Sequence, residues 1–154
     1  MKRINTIMLV LLLLLIAIQF IQPARNCNSE VLSSDIEKVY AVPVKASAIL
    51  KISCYDCHSN NTHYPWYSFI QPGAWWMSSH IKKGKANLNF SEFGNYSILR
   101  QQNKLQAIAN SIKDETMPLS SYTLLHKKAK LSQDDKTVLL SWIQTTIDSL
   151  SKPN

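Results

Sequence analysis

The chain has 154 residues, enough for one small domain and an extra segment, with 45% hydrophobic residues and a formal net charge of +7. Only three glycines are present, which argues against a Gly-rich phosphate loop and against many tight hairpins. Leaving out Lys2, Arg3 and Arg25, 14 basic minus 10 acidic residues gives +4, and no basic run interleaved with aromatics marks a nucleic-acid surface.

The chain opens with Lys2 and Arg3 followed by "INTIMLVLLLLLIAIQFIQP". From Ile4 to Ile21 this run is almost wholly apolar. Eighteen helical residues span about 27 Å, enough for a thin or adapted bilayer. Residues 1–25 therefore read as a membrane anchor or signal segment. The exit through Phe20, Ile21, Gln22 and Pro23 lacks the small residues of a cleavage site, which favours a retained transmembrane helix. Lys2 and Arg3 stay cytoplasmic by the positive-inside rule, so the remainder is expected in the periplasm, attached to the inner membrane. Residues 26–42 are mixed and polar and read as a tether with one short helix. Cys27 reads as an ordinary thiol.

The domain proper is expected over 43–152. "PVKASAILKIS" begins at Pro43 as a helix, with Val44, Ala48, Ile49 and Ile52 at helical spacing. It runs into "CYDCH", where Cys54, Cys57 and His58 make C-x-x-C-H, the attachment pattern of c-type haem. The spacing suits the chemistry. Two thiols on one helical turn can add across the two vinyl groups of a porphyrin, and the adjacent imidazole is carried under the iron. A redox dithiol would need a thioredoxin-like βαβ setting, which the chain does not show. A zinc site using Cys54, Cys57, His58 or His63 lacks a second C-x-x-C, and adjacent Cys57 and His58 do not easily face one tetrahedral centre.

After the motif comes an aromatic stretch with Tyr64, Trp66, Tyr67, Phe69, Trp75 and Trp76. It reads as a wall of the haem pocket, as core packing, or as both. "GAWWMSSHIKK" reads as a helix carrying Met77 and His80. "DETMPLSSY" reads as a loop that offers Met117 as distal iron ligand, with His126 and His80 as alternatives. Ser132 caps a final helix whose face Val138, Leu139, Trp142, Ile143, Ile147 and Leu150 packs on the motif helix. "KKGK" and "HKKAK" (Lys82, Lys83, Lys85; Lys127, Lys128, Lys130) read as solvated faces or as a collar for an acidic redox partner.

"CYDCHSNNTHYPWYSFIQPGAWWMSSHIKKGKANLNFSEF" and "MPLSSYTLLHKKAKLSQDDKTVLLSWI" together resemble the haem-binding domain family of small exported monohaem c-type cytochromes from Bacteroidetes-like bacteria. The aromatic insertion departs from cytochrome c at large. The resemblance implies one covalent haem c on Cys54 and Cys57 with His58 as proximal ligand, but no known reaction. Wider similarity to cytochrome c implies an all-α, cytochrome c-like domain and one-electron transfer. A carrier is thus expected rather than an enzyme. A peroxidase-like subunit, or a redox or gas sensor with a displaceable sixth ligand, is the alternative.

Overall fold

The computed structural model describes residues 2–28 and 30–151, and the side chain of Lys2 is not among them. The first residue of the expected anchor, Ser29 of the expected tether and the expected domain end at Lys152 fall outside this range. Helix α1 runs from Lys2 to Gln19 and α2 from Ile36 to Val39. The motif region holds α3 (Val44–Ser53) and the single turn α4 (Tyr55–His58). Then follow α5 (Gly73–Asn87), α6 (Ile98–Lys113), α7 (Ser120–Leu125) and α8 (Gln133–Leu150). Three short 3-10 turns join them at Trp66–Phe69, Phe90–Asn95 and Lys127–Ala129. The described residues are thus all-helical, with one isolated antiparallel bridge between Cys27 and Asn61 and no strand.

The core forms where α8 lies against α6 and α3. Leu139, Trp142 and Ile143 of α8 meet Leu105, Ala109 and Ile112 of α6 and Ala46, Ile49 and Leu50 of α3, with Phe90 and Phe93 filling the end. The α8 face is the expected one. Its start is also as expected, because Ser132 and Asp135 form a reciprocal capping box. The α3 face differs. Val44, Ala48 and Ile52 are exposed, and the buried row is Ala46, Ile49, Leu50 and Ser53. Those positions are i, i+3, i+4 and i+7, one stripe of a helix, and of the expected set Ile49 lies on it while Val44, Ala48 and Ile52 face solvent. Helix α6 went unrecognised in the sequence. Its signals are the Ser97 cap, which accepts from Arg100 N–H, and the spacing of Leu105, Ala109 and Ile112.

Asn26, Ser34 and Ile36 of the expected tether lie against the domain. Ile36 is fully buried, Gly94 N–H donates to Ser34 O at 2.8 Å, and the Asn26 side-chain amide donates to Ser59 O at 2.9 Å.

Among the described residues no helix is long and apolar enough to cross a membrane. Helix α1 ends at Gln19 rather than Ile21, and its first residues are Lys2 and Arg3. The uncharged part, Ile4 to Gln19, rises about 24 Å, short of the ~30 Å hydrocarbon core. Its isoleucines and leucines from Ile4 to Ile16 are all about half exposed.

Candidate haem site

The motif sits where α3 breaks. Cys54 leaves helical geometry at φ −128°, and the next residues close one tight turn with Cys57 N–H and His58 N–H both donating to Cys54 O, at 3.2 and 3.0 Å. Asp56 pins this turn from outside. One carboxylate oxygen accepts from His63 N–H at 2.9 Å, and the other accepts from the Tyr122 hydroxyl at 2.7 Å. Burial, together with the Asp56 carboxylate, pushes the Tyr122 phenol far up, so it stays protonated and donates.

His58 is held by its Nδ1, which lies 3.1 Å from both Gly84 O and Leu88 O. Two carbonyls can only accept, so Nδ1 carries the proton and Nε2 is left with a free lone pair. An imidazole oriented in this way is the arrangement typical of a metal-bound histidine. Burial holds its pKa below the ordinary value against the raising effect of the two carbonyls, and the charge of Lys104 adds to the lowering. The ring is therefore neutral, as a ligand must be. Phe90 packs edge-on to it and stacks on Tyr55.

Helix α5 can supply both carbonyls because it runs almost in contact with the motif turn. A Cβ built on Gly84 would stand 2.6 Å from Cys57 O. Only a residue without a side chain permits that approach.

Two adjoining clefts of about 110 and 210 Å³ open beside the turn. Ser53, Cys54, His58, Asn87, Met117 and Pro118 line both of them. The first is closed by Leu88, Phe90, Ile108, Ile112 and Leu131, with Lys104 at its edge. The second adds Cys57, His80, Lys83 and Tyr122. The walls of both clefts are mainly apolar. Together they include both motif thiols, the imidazole and one thioether.

The remaining sequence candidates separate clearly. Met117 borders both clefts and is 40% exposed. His80 borders only the second, with Nδ1 2.9 Å from Trp76 O and its ring against the Trp76 indole. His126 borders neither. Its Nε2 meets the Tyr67 hydroxyl at 3.1 Å, Nδ1 lies 3.2 Å from Tyr122 O, and the ring stacks on Tyr122. The expectation that the aromatic stretch walls the haem pocket is corrected. None of Tyr64, Trp66, Tyr67, Phe69, Trp75 and Trp76 borders either cleft. Tyr64, Phe69 and Trp75 lie instead where α1 ends, because Trp75 Nε1–H donates to Ile21 O and Arg25 lies over the rings of Phe69 and Tyr64.

The competing chemistries fit poorly. Burial, with the neighbouring Cys57 contributing, pushes the Cys54 thiol up to about 12. Burial, with Asp56 contributing, pushes Cys57 up to about 11. At neutral pH both are thiols, whereas a redox dithiol needs a stabilised thiolate. Among the described residues no three of His, Cys, Asp and Glu gather into a metal-binding group. A porphyrin iron asks less of the protein: two thiols for its vinyl groups and one or two axial ligands.

These features define a haem-binding module. The chain belongs to the haem-binding domain family, whose pattern matches residues 13–145. It is also 31% identical over 94 residues to a cytochrome c peroxidase of Escherichia coli (strain K12), a match covering 58% of this chain. The chain spans about a fifth of that protein's length. No solved structure matches it.

Proposed function

We propose that this haem-binding protein carries one covalent haem c in the joined clefts and serves as a one-electron carrier. The reading rests on His58, whose Nδ1 is fixed by the Gly84 and Leu88 carbonyls within a C-x-x-C-H turn that borders an apolar cleft. Cys54 and Cys57, held as neutral thiols at the edge of the cleft, would each add S–H across a vinyl C=C. One C–S bond forms, the proton goes to the other vinyl carbon, and no net oxidation occurs. His58 Nε2 would be the proximal ligand and Met117 the distal one. Lys104, tied to Asn87 Oδ1 at 2.9 Å, and Lys83 are the cations available to the haem carboxylates. The bound haem supplies a single-electron couple. The chain's part would be to hold the haem through His58 and Met117, to exclude water with Leu88, Phe90 and Ile112, and to favour the reduced form through a thioether.

Helix α1 serves in this reading as the membrane anchor, supported by its uncovered apolar side chains. The haem domain would face the periplasm, where an acidic redox partner could approach Lys82, Lys83, Lys127 and Lys128.

The similarity to a cytochrome c peroxidase supports a second reading, a peroxidase-like haem unit whose sixth ligand is displaceable. Optical spectroscopy of the full chain separates the two. A carrier is low-spin as isolated, shows a weak thioether-to-iron band in the far red, and binds carbon monoxide poorly when reduced. Met117→Ala should abolish that band and open the iron to carbon monoxide, while His126→Ala leaves the band in place. A high-spin wild type that binds carbon monoxide readily would refute the carrier and favour the peroxidase-like unit.

A further inference from the structure

The aromatic stretch is left without a role by the haem site, yet several of its large apolar side chains are exposed. Trp66 is 77% exposed, and Phe69, Ile70 and Trp76 are also open to solvent. Phe20, 84% exposed, and Ile21 extend the same surface from the end of α1. Such a patch needs an occupant.

The connection to α1 indicates which one. Gln71 is almost fully buried and ties the two segments together. Its backbone N–H donates to Gln19 Oε1 at 2.9 Å, and its side-chain amide donates to Ile21 O at 2.7 Å. The Trp75 indole N–H donates to the same Ile21 oxygen at 3.0 Å, and the Gln22 amide donates to Phe69 O at 3.0 Å. The Arg25 guanidinium lies 3.9 Å above the Phe69 ring and donates to Ser68 Oγ at 3.1 Å. An uncovered apolar helix thus ends in a fixed collar of indoles and phenyls backed by a cation. Lys82 and Lys83 border the neighbouring shallow cleft with Pro23 and Trp75. Indoles with an apolar body and a polar edge, beside cations, are the residues that settle at the headgroup level of a bilayer.

We infer that residues 64–76 form a platform seated in the interfacial zone of a phospholipid bilayer, which fixes how the haem domain stands on the membrane. The inference rests on the reading of α1 as the anchor and adds a second, independent contact. Its consequence for the haem runs through α5. Trp75 and Trp76 lie in the first turn of that helix, the Gly84 carbonyl that orients His58 lies in its last turn, and the Leu88 carbonyl follows at its extended C-cap. Eight residues separate Trp76 from Gly84, a rise of about 12 Å along the helix. A rigid helix therefore links the seated indoles to the proximal ligand. The haem would be held at a set distance from the bilayer instead of swinging on a loose leash.

The test uses the haem-loaded full chain. It is reconstituted in vesicles of phosphatidylethanolamine and phosphatidylglycerol doped with a phospholipid bearing a diazirine near its headgroup. After illumination, adducts are mapped by mass spectrometry. The platform predicts adducts on Trp66, Phe69 and Trp76 as well as on Phe20 and Ile21. Adducts confined to residues 4–21 would overturn the platform and leave the anchor standing. A chain recovered free of the vesicles and without adducts would overturn both. In the double variant Trp66→Ser, Trp76→Ser, whose sites are exposed, the yield across 64–76 should fall while that on α1 persists. An unchanged yield across 64–76 in that variant would also sink the platform.

Discussion

The close approach of α5 to the motif turn gives a sharp test at Gly84. A methyl group there would meet Cys57 O at 2.6 Å, and the Cys57 carbonyl carbon and Cβ at 3.3 Å. The first atom is backbone, so no side chain can swing aside and the helix or the turn must move. Forcing extra volume into a packed contact costs about 1–3 kcal/mol. The displacement also stretches His58 Nδ1–H to Gly84 O, a bond worth about 0.5–1.5 kcal/mol. Against this, alanine is better than glycine inside a helix by about 1 kcal/mol. Gly84→Ala should therefore destabilise the domain by about 2 kcal/mol, a fall in Tm of roughly 4–8 °C for a chain of this size. Gly73→Ala is the control, because a Cβ there meets nothing within 4 Å. It should be neutral or mildly stabilising. Thermal melting of the two full-length variants, followed by circular dichroism, makes the comparison. If Gly84→Ala melts at or above Gly73→Ala, the close-packed cradle for His58 is wrong.

Two further outcomes follow from named charges. Asp35 is buried, and desolvation raises its pKa above the ordinary carboxylate value, against the lowering effect of its bond from Glu37 N–H. The folded state then holds the proton more tightly than the unfolded state, so stability falls as pH rises through the window between those two values, and the penalty persists above it. Asp35→Asn keeps an N-cap acceptor and removes the charge. It should be more stable than wild type at neutral pH, with the gap closing as the solution is acidified toward the unfolded pKa. Urea titrations at several pH values would show this, and a variant weaker at neutral pH would contradict it. Lys104→Met removes a cation beside His58 and the cleft, which should favour ferric iron. Potentiometry should find the potential lowered by on the order of tens of millivolts. An unchanged potential would place Lys104 outside the field of the haem.

Much of the site was legible because the relevant chemistry is local. Cys54, Cys57 and His58 declare themselves within five residues, and Ser132 with Asp135 declares the start of α8. Met117 could be nominated from its polar loop, and the structure brings it to both clefts. The parts that stayed hidden depend on distant segments meeting. No sequence pattern says that Gly84 and Leu88 will turn their carbonyls to His58, or that Asp56 will receive the Tyr122 hydroxyl across 66 residues. Lys104 lies on α6, whose apolar spacing is present but diluted by glutamines and asparagines. The aromatic stretch misled because aromatic content signals burial on average. Its placement at the end of α1, fixed by Gln19, Gln22 and Gln71, leaves those rings outside the core. The α3 stripe was misjudged by a rotation, since Val44 and Ile52 look like core residues until α8 selects Ala46, Ile49 and Leu50.

The most direct test of the account is the intact mass, under denaturing conditions, of the full chain made in a host able to attach c-type haem. The account predicts the polypeptide plus one haem that resists acid-acetone extraction, and no covalent haem in the Cys54→Ala, Cys57→Ala double variant. A wild-type chain at its bare mass, with any haem removable by solvent, would contradict covalent attachment through these two cysteines.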